Sequence, residues 1–173
     1  MRASLFARRF LIPGPLVSLW YYYKFNCFIH YRSEVDFSAN LKIGRGTSVA
    51  ACAKIKCGKA PLIIGENTSI ADGCHIGSGV TIGNDCLIGP HVSIIGANYS
   101  YDRLDIPIRM QAIPLCKGTI IGNDVWVGAG ACILDGARIG SGVIITPNSV
   151  VATKVPDNAV VQGNPAKVIF IRR

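Results

Sequence analysis

The sequence predicts an all-β solenoid, a coil of short parallel strands with an apolar N-terminal segment and one protruding loop. Three observations carry this. Aliphatic residues recur every six positions, glycine often follows them, and a small or β-branched residue stands four positions after most of them. A period of six fits neither the 3.6 of a helix nor a long alternating strand, so the chain must turn every few residues. A β-sandwich would space its strands by about 8 to 12 residues.

The opening, MRASLFARRFLIPGPLVSLWYYYKFNCFIHYR, is basic and then apolar. No small-residue cleavage site follows, and Pro13-Gly14-Pro15 interrupts the run. The uncharged stretch Phe10 to Tyr23 is 14 residues, short of the roughly 20 that span a bilayer. The segment 1–35 is therefore expected to be partly helical and not to cross a membrane. Arg2, Arg8 and Arg9 beside Trp20 and Tyr21 to Tyr23 suit either a lipid headgroup layer or packing on the main domain or a neighbouring subunit.

The periodic domain is expected over 36–173, and a chain of 173 residues suits one such domain. The aliphatic positions are Ile43, Val49 and Ile55, then Ile64, Ile70, Ile76, Ile82, Ile88 and Ile94, then Ile121, Val127, Ile133, Ile139, Ile145 and Val151. Three extra residues fall around Lys59-Ala60-Pro61. Each aliphatic side chain should point inward and stack on its equivalent in the next turn, gaining about 1.5–3 kcal/mol on burial. The small slot is filled by Thr68, Cys74, Val80, Cys86, Val92, Val125, Ala131, Ala137 and Val143.

The step from 94 to 121 throws out a loop over about 95–119, rich in polar and aromatic groups (NYSYDRLDIPIRMQ). Loops on a rigid scaffold are where binding and catalytic groups concentrate.

Composition narrows the chemistry. Only 16% of residues are charged, yet they sum to +8, which favours an anionic partner without naming it. The seven cysteines (27, 52, 57, 74, 86, 116, 132) form no CxxC pair and no zinc-type Cys/His cluster. No metal and no disulfide framework is expected. Cys74 and Cys86 in the small slot read as buried reduced thiols, which points to the cytoplasm.

The hexads, IGNDVWVGAGACIL and the ending VPDNAVVQGNPAKVI resemble the hexapeptide-repeat acyltransferases, especially galactoside, maltose and streptogramin O-acetyltransferases and surface-polysaccharide sugar acetyltransferases. The resemblance covers about residues 36–171. It implies a left-handed parallel β-helix, a homotrimer, acetyl-CoA as acyl donor and a carbohydrate acceptor, with no nucleic-acid partner. It also implies a loop that helps form a cleft between subunits and carries a histidine as general base. An ungapped count from VTIGND places that position on Tyr99.

The substitution matters because acetyl transfer to a hydroxyl needs a base with pKa near 7, which histidine supplies. A tyrosine with the ordinary pKa of about 10 is roughly 0.1% ionised at pH 7. Three readings stay open. Tyr99 leaves the chain slow or inactive; or His75, His91, Asp102 or Asp105 supplies the base; or the acceptor is a neutral amine that needs less help. A scaffold that kept the fold and lost the reaction, and N-acetylation of an amino sugar nucleotide, are the rival functions.

The resemblance implies that Trp126, Ala129 and Pro147 line the pantetheine arm. The family's Thr-Lys-Asp before the proline reads here as Ala152, Thr153 and Lys154, so the lysine is displaced by one position. Lys167 in NPAKVI matches the family's basic position directly. Either lysine is also what a solvated surface would carry. Ser69 stands at the galactoside enzyme's sugar-binding asparagine, and Asn98 and Tyr101 in the loop are the other expected substrate contacts. YDRLDIPI is closer to the polysaccharide-modifying branch, a setting where the basic, aromatic N-terminal segment would suit work near a membrane.

Overall fold

The computed structural model describes residues 14–36, 38–96, 98–112 and 117–173. Arg2, Arg8, Arg9 and Cys116 lie outside them. A helix, α1 (Gly14–Phe25), leads into a β-solenoid of about six turns with three parallel faces. Pro15 sits in the first turn of α1, where its missing N–H costs nothing.

The hexad rule explains the faces. Face A stacks Ile29, Val49, Ile70, Ile88, Val127, Ile145 and Val161 inward. Face B stacks Val35, Ile55, Ile76, Ile94, Ile133 and Val151. Face C stacks Ile43, Ile64, Ile82, Ile121, Ile139 and Val155. Every member is buried except Ile43, which is half-buried beside α1. The ladder begins at Ile29 and Val35, ahead of the first hexad visible in the sequence. It ends in an antiparallel hairpin, Ala159–Gly163 with Ala166–Ile171, at the edge of face A.

Between faces A and B, and between C and A, successive inward residues are always six apart. All departures fall at the corner from B to C: 35 to 43, 55 to 64, 94 to 121 and 151 to 155. The regular corners are locked turn by turn. At the C–A corner Asn67, Asp85, Asp124 and Asn158 occupy the left-handed region, which short polar side chains tolerate best after glycine. Beside them, Oδ1 of Asn84 accepts the Glu66 N–H (2.8 Å), Oδ1 of Asn123 accepts the Asn84 N–H (2.8 Å) and Oδ1 of Asp157 accepts the Ser141 N–H (2.8 Å). An inserted residue there would break bonds to the turns above and below.

The small slot is buried throughout and satisfies its own polar atoms. The Thr68 hydroxyl donates to Gly83 O (3.0 Å) and accepts from Cys86 N (3.2 Å). The Cys74 and Cys86 thiols donate to Gly89 O (3.1 Å) and Gly122 O (3.2 Å). Burial pushes both thiols above their ordinary pKa. The described cysteines are all free.

Candidate active site

The long loop leaves the face B strand Ser93–Ile94 and returns as the face C strand Thr119–Ile121, so it stands on the B–C corner. Its middle is held by Gln111, whose Nε2 donates to Arg103 O (2.7 Å) and Ile106 O (3.3 Å) and whose Oε1 accepts the Arg103 N–H (3.2 Å). Arg103 pairs with Asp105, donating from Nε to Oδ1 at 3.0 Å and from Nη2 to Oδ2. That guanidinium holds the Asp105 carboxyl below the usual carboxylate range. Asp105 is thereby committed to the loop's own structure.

The return limb is clamped from the next turn. Asp135 accepts the Lys117 N–H (3.1 Å) and the Gly118 N–H (2.8 Å), while Arg138 donates to Lys117 O (2.9 Å) and Gly118 O (2.5 Å). This clamp was not visible in the sequence, because residues 117 and 135 become neighbours only through the coil.

Face B, from which the loop departs, presents Glu34, Lys54, His75, Ser93, Cys132 and Val150 outward in one column. Past His75 the column is a strip of small side chains, Ser93, Cys132 and Val150, each half-buried. Burial pushes the Cys132 thiol up, away from the thiolate form. Ala129 and Pro147 are exposed at the A–B corner, while Ala152 and Thr153 are exposed at the B–C corner. The strand Val150–Val151 joins the two corners. Four of the expected cofactor residues thus border one strip, with the loop at its far side. The strip residues carry a sequence signal only when hexads are compared three at a time.

The other expected residues are dispersed. Tyr99 (64% exposed) and Tyr101 project from the loop, and Asp102 is exposed beside them. Asn98 turns back to accept the Tyr99 N–H at 2.9 Å. His91 lies in the left-handed region at the A–B corner, its ring covering Gly73 so closely that a Cβ there would come within 2.5 Å of Nδ1. Its packing matches a corner residue. His75, by contrast, stands outward on face B, one rung from Ser93. His30 accepts the Arg32 N–H at Nδ1 (3.1 Å) and stacks on Tyr31.

Ser69 and Trp126 face outward on face A with Leu87 between them. Ser69 Oγ lies 3.2 Å from Ser48 Oγ. Lys154 faces outward on face C beside Arg138. Lys167 lies in the terminal hairpin opposite Gln162. Ser69 and Trp126 are thus separated from the loop by the width of the prism within one chain.

The model of the bacterial transferase hexapeptide family (six repeats) matches residues 61–96 and 118–153. The provisionally named lipopolysaccharide biosynthesis O-acetyl transferase WbbJ of Escherichia coli K12 is 33% identical over 84% of this chain and 76% of its own length. The chain belongs to the hexapeptide-repeat transferase family. A chloramphenicol acetyltransferase of Klebsiella aerogenes is 32% identical over 79% of the chain and 70% of that protein. Among solved structures, a single-residue mutant of AntD, an N-acyltransferase of Bacillus cereus in complex with dTDP-4-amino-4,6-dideoxyglucose and coenzyme A, superposes with a TM-score of 0.74. It covers 86% of this chain and 82% of its own at 18% identity, a likeness of fold.

The hexads that match the family model are the stretches with unbroken six-residue steps, and the gap between them is the loop. The match to the family model therefore rests on the coil.

Proposed function

We propose that this chain is a homotrimeric acetyltransferase that moves the acetyl group of acetyl-CoA to a carbohydrate hydroxyl of a surface polysaccharide or glycolipid precursor. The observation that carries the reading is the strip Ser93, Cys132 and Val150 on face B, bordered by Ala129 and Pro147 on one side and by Ala152, Thr153 and the loop on the other. Small side chains leave room for an extended pantetheine arm. At the B–C end Lys117 and Lys154 are exposed and form no ion pair with the described residues, so cations are available for phosphate groups. The name of the Escherichia coli relative supports a polysaccharide acceptor, and that of the Klebsiella aerogenes relative shows that acceptors vary among chains this similar.

The acceptor oxygen attacks the thioester carbonyl, its proton passes to a base, and the coenzyme A thiolate leaves. Tyr99 fills the position where the family's base stands and is a poor acceptor for that proton. A trimer brings face A of one chain, with Ser69 and Trp126, toward the loop of another, which one chain alone does not do.

A second reading concerns the base alone. His75 is the histidine that faces outward on the same strip, next to Ser93, and it can take the proton if the acceptor lies along face B.

The deciding experiment is release of free coenzyme A from acetyl-CoA with a panel of sugars and sugar nucleotides, for this chain and Tyr99→His side by side. Turnover by the histidine form alone supports an intact site slowed by Tyr99. Absence of acetyl-CoA binding by calorimetry at millimolar ligand would overturn the cofactor assignment.

A further inference from the structure

We infer that α1 and the first turn of the solenoid form a docking surface for an anionic lipid bilayer. A surface helix normally turns its apolar stripe to the core and its polar side outward. In α1 aromatic and aliphatic residues occupy every side, Tyr22 and Phe25 being exposed as well. Tyr21 is buried against the solenoid, while Leu16, Leu19, Trp20 and Tyr23, at the i, i+3, i+4, i+7 spacing of one helical face, are exposed. Phe28 and Tyr31 extend this apolar surface beyond the helix. Exposed contiguous apolar surface of this kind marks an interaction site.

The charge pattern selects the occupant. Of the described residues before Glu34, Lys24 and Arg32 are the charged ones, both positive and both exposed. Anionic headgroups complement them. The ring chemistry agrees, since Trp and Tyr place an apolar body and a polar tip at the lipid–water boundary. Lys24 Nζ sits 4.8 Å over the Trp20 ring, which leaves a cation at the edge of the apolar stripe.

Beneath the helix, Trp20, Tyr21, Phe25, Leu41, Lys42 and Ile43 line a cleft of about 320 Å³. Its apolar walls admit part of an acyl chain, and Lys42 supplies a cation for the headgroup. Half-burial of Ile43, in contrast to its partners on face C, marks the same opening. Among the described residues no helix is long and apolar enough to cross a membrane, so contact is along the surface.

The test uses the full chain and vesicles of phosphatidylcholine with and without phosphatidylglycerol. Flotation with the mixed vesicles at low salt is expected, with release at high salt. The double variants Leu19→Ser with Tyr23→Ser, and Lys24→Glu with Arg32→Glu, alter exposed positions and should each lower the bound fraction about tenfold or more, with circular dichroism unchanged. The variant Trp126→Phe leaves Trp20 as the sole tryptophan, whose emission should shift to the blue on adding mixed vesicles. Protein that stays in solution with both vesicle types, or binding unaltered by Leu19→Ser with Tyr23→Ser, overturns the inference. A fall in oligomer size caused by that same pair also overturns it, because the surface would then be covered by another copy.

Discussion

His75 and Ser93 are partners on adjacent rungs of face B, both facing outward, and Ser93 opens the strand from which the loop departs. This puts an imidazole on a face that borders both the loop and the expected cofactor positions Ala129, Pro147, Ala152 and Thr153. If His75 takes the acceptor proton, His75→Asn lowers kcat by about 10² to 10⁴ and leaves acetyl-CoA binding intact. Steady-state kinetics beside calorimetry separates the two effects. Unchanged kcat removes His75 from the reaction.

Tyr99 is exposed on the loop, and its hydroxyl makes no hydrogen bond to the described residues. A histidine fits there without repacking. Tyr99→His is expected to raise turnover by about 10² or more, within the range a general base contributes, with little change in melting temperature. The coenzyme A release assay reads the first and calorimetric melting the second.

Asp135 accepts two backbone N–H groups at the loop's return, and Arg138 donates to the two carbonyls of the same residues. Asp135→Ala leaves those donors without their partner and should cost about 1–3 kcal/mol. Hydrogen exchange at Lys117 and Gly118 should speed up while exchange at Ile76 stays slow. Equal change at both places would mean that the clamp supports the whole coil and not the loop.

Thr68 is fully buried and bridges Gly83 O and Cys86 N on the next turn. Thr68→Val keeps the volume but orphans both groups, for an expected loss of about 1–3 kcal/mol. Thr68→Ser keeps the hydroxyl and should lose less. Urea unfolding of the two variants distinguishes hydrogen bonding from packing.

Burial raises the Cys27, Cys74 and Cys86 thiols. A thiol raised in the folded state contributes stability that is complete below its unfolded pKa, about 8.5, and is lost as pH rises through the folded value. The urea midpoint should therefore fall as pH rises above about 8.5. In Cys74→Ala with Cys86→Ala that alkaline fall should be shallower, measured against the same variant at pH 7. An equal slope in both proteins would assign the alkaline loss to other groups.

The hexad positions from Ile43 to Val151 were legible because each one reports its own burial, mostly six residues after the last. Ile29, Val35, Val155 and Val161 were not read as rungs. The steps 35 to 43 and 151 to 155 break the period, and Ile29 follows an apolar helix that hides the start of the coil. The loop's existence was plain from the interval 94 to 121, but its corner was not.

The candidate site divides in the same way. Tyr99, Ala129, Pro147, Ala152 and Thr153 were expected from the resemblance, Tyr99 by counting along the chain from VTIGND. The strip Ser93, Cys132 and Val150 and the Asp135–Arg138 clamp were missed, because their members meet only one coil apart.

By itself the sequence determined the solenoid, its inward residues, the small slot and the position of the loop, since all of these follow from local spacing and from which side chains water excludes. The tertiary structure decided which outward residues share a face. That depends on how many residues each turn contains, and at the B–C corner the number varies, so Ser93 meets Cys132 across the whole loop. It also decided that Tyr21 of α1 is buried against the solenoid while Leu16, Leu19 and Tyr23 are left exposed, because the helix has apolar residues on every side and the solenoid covers only part of them.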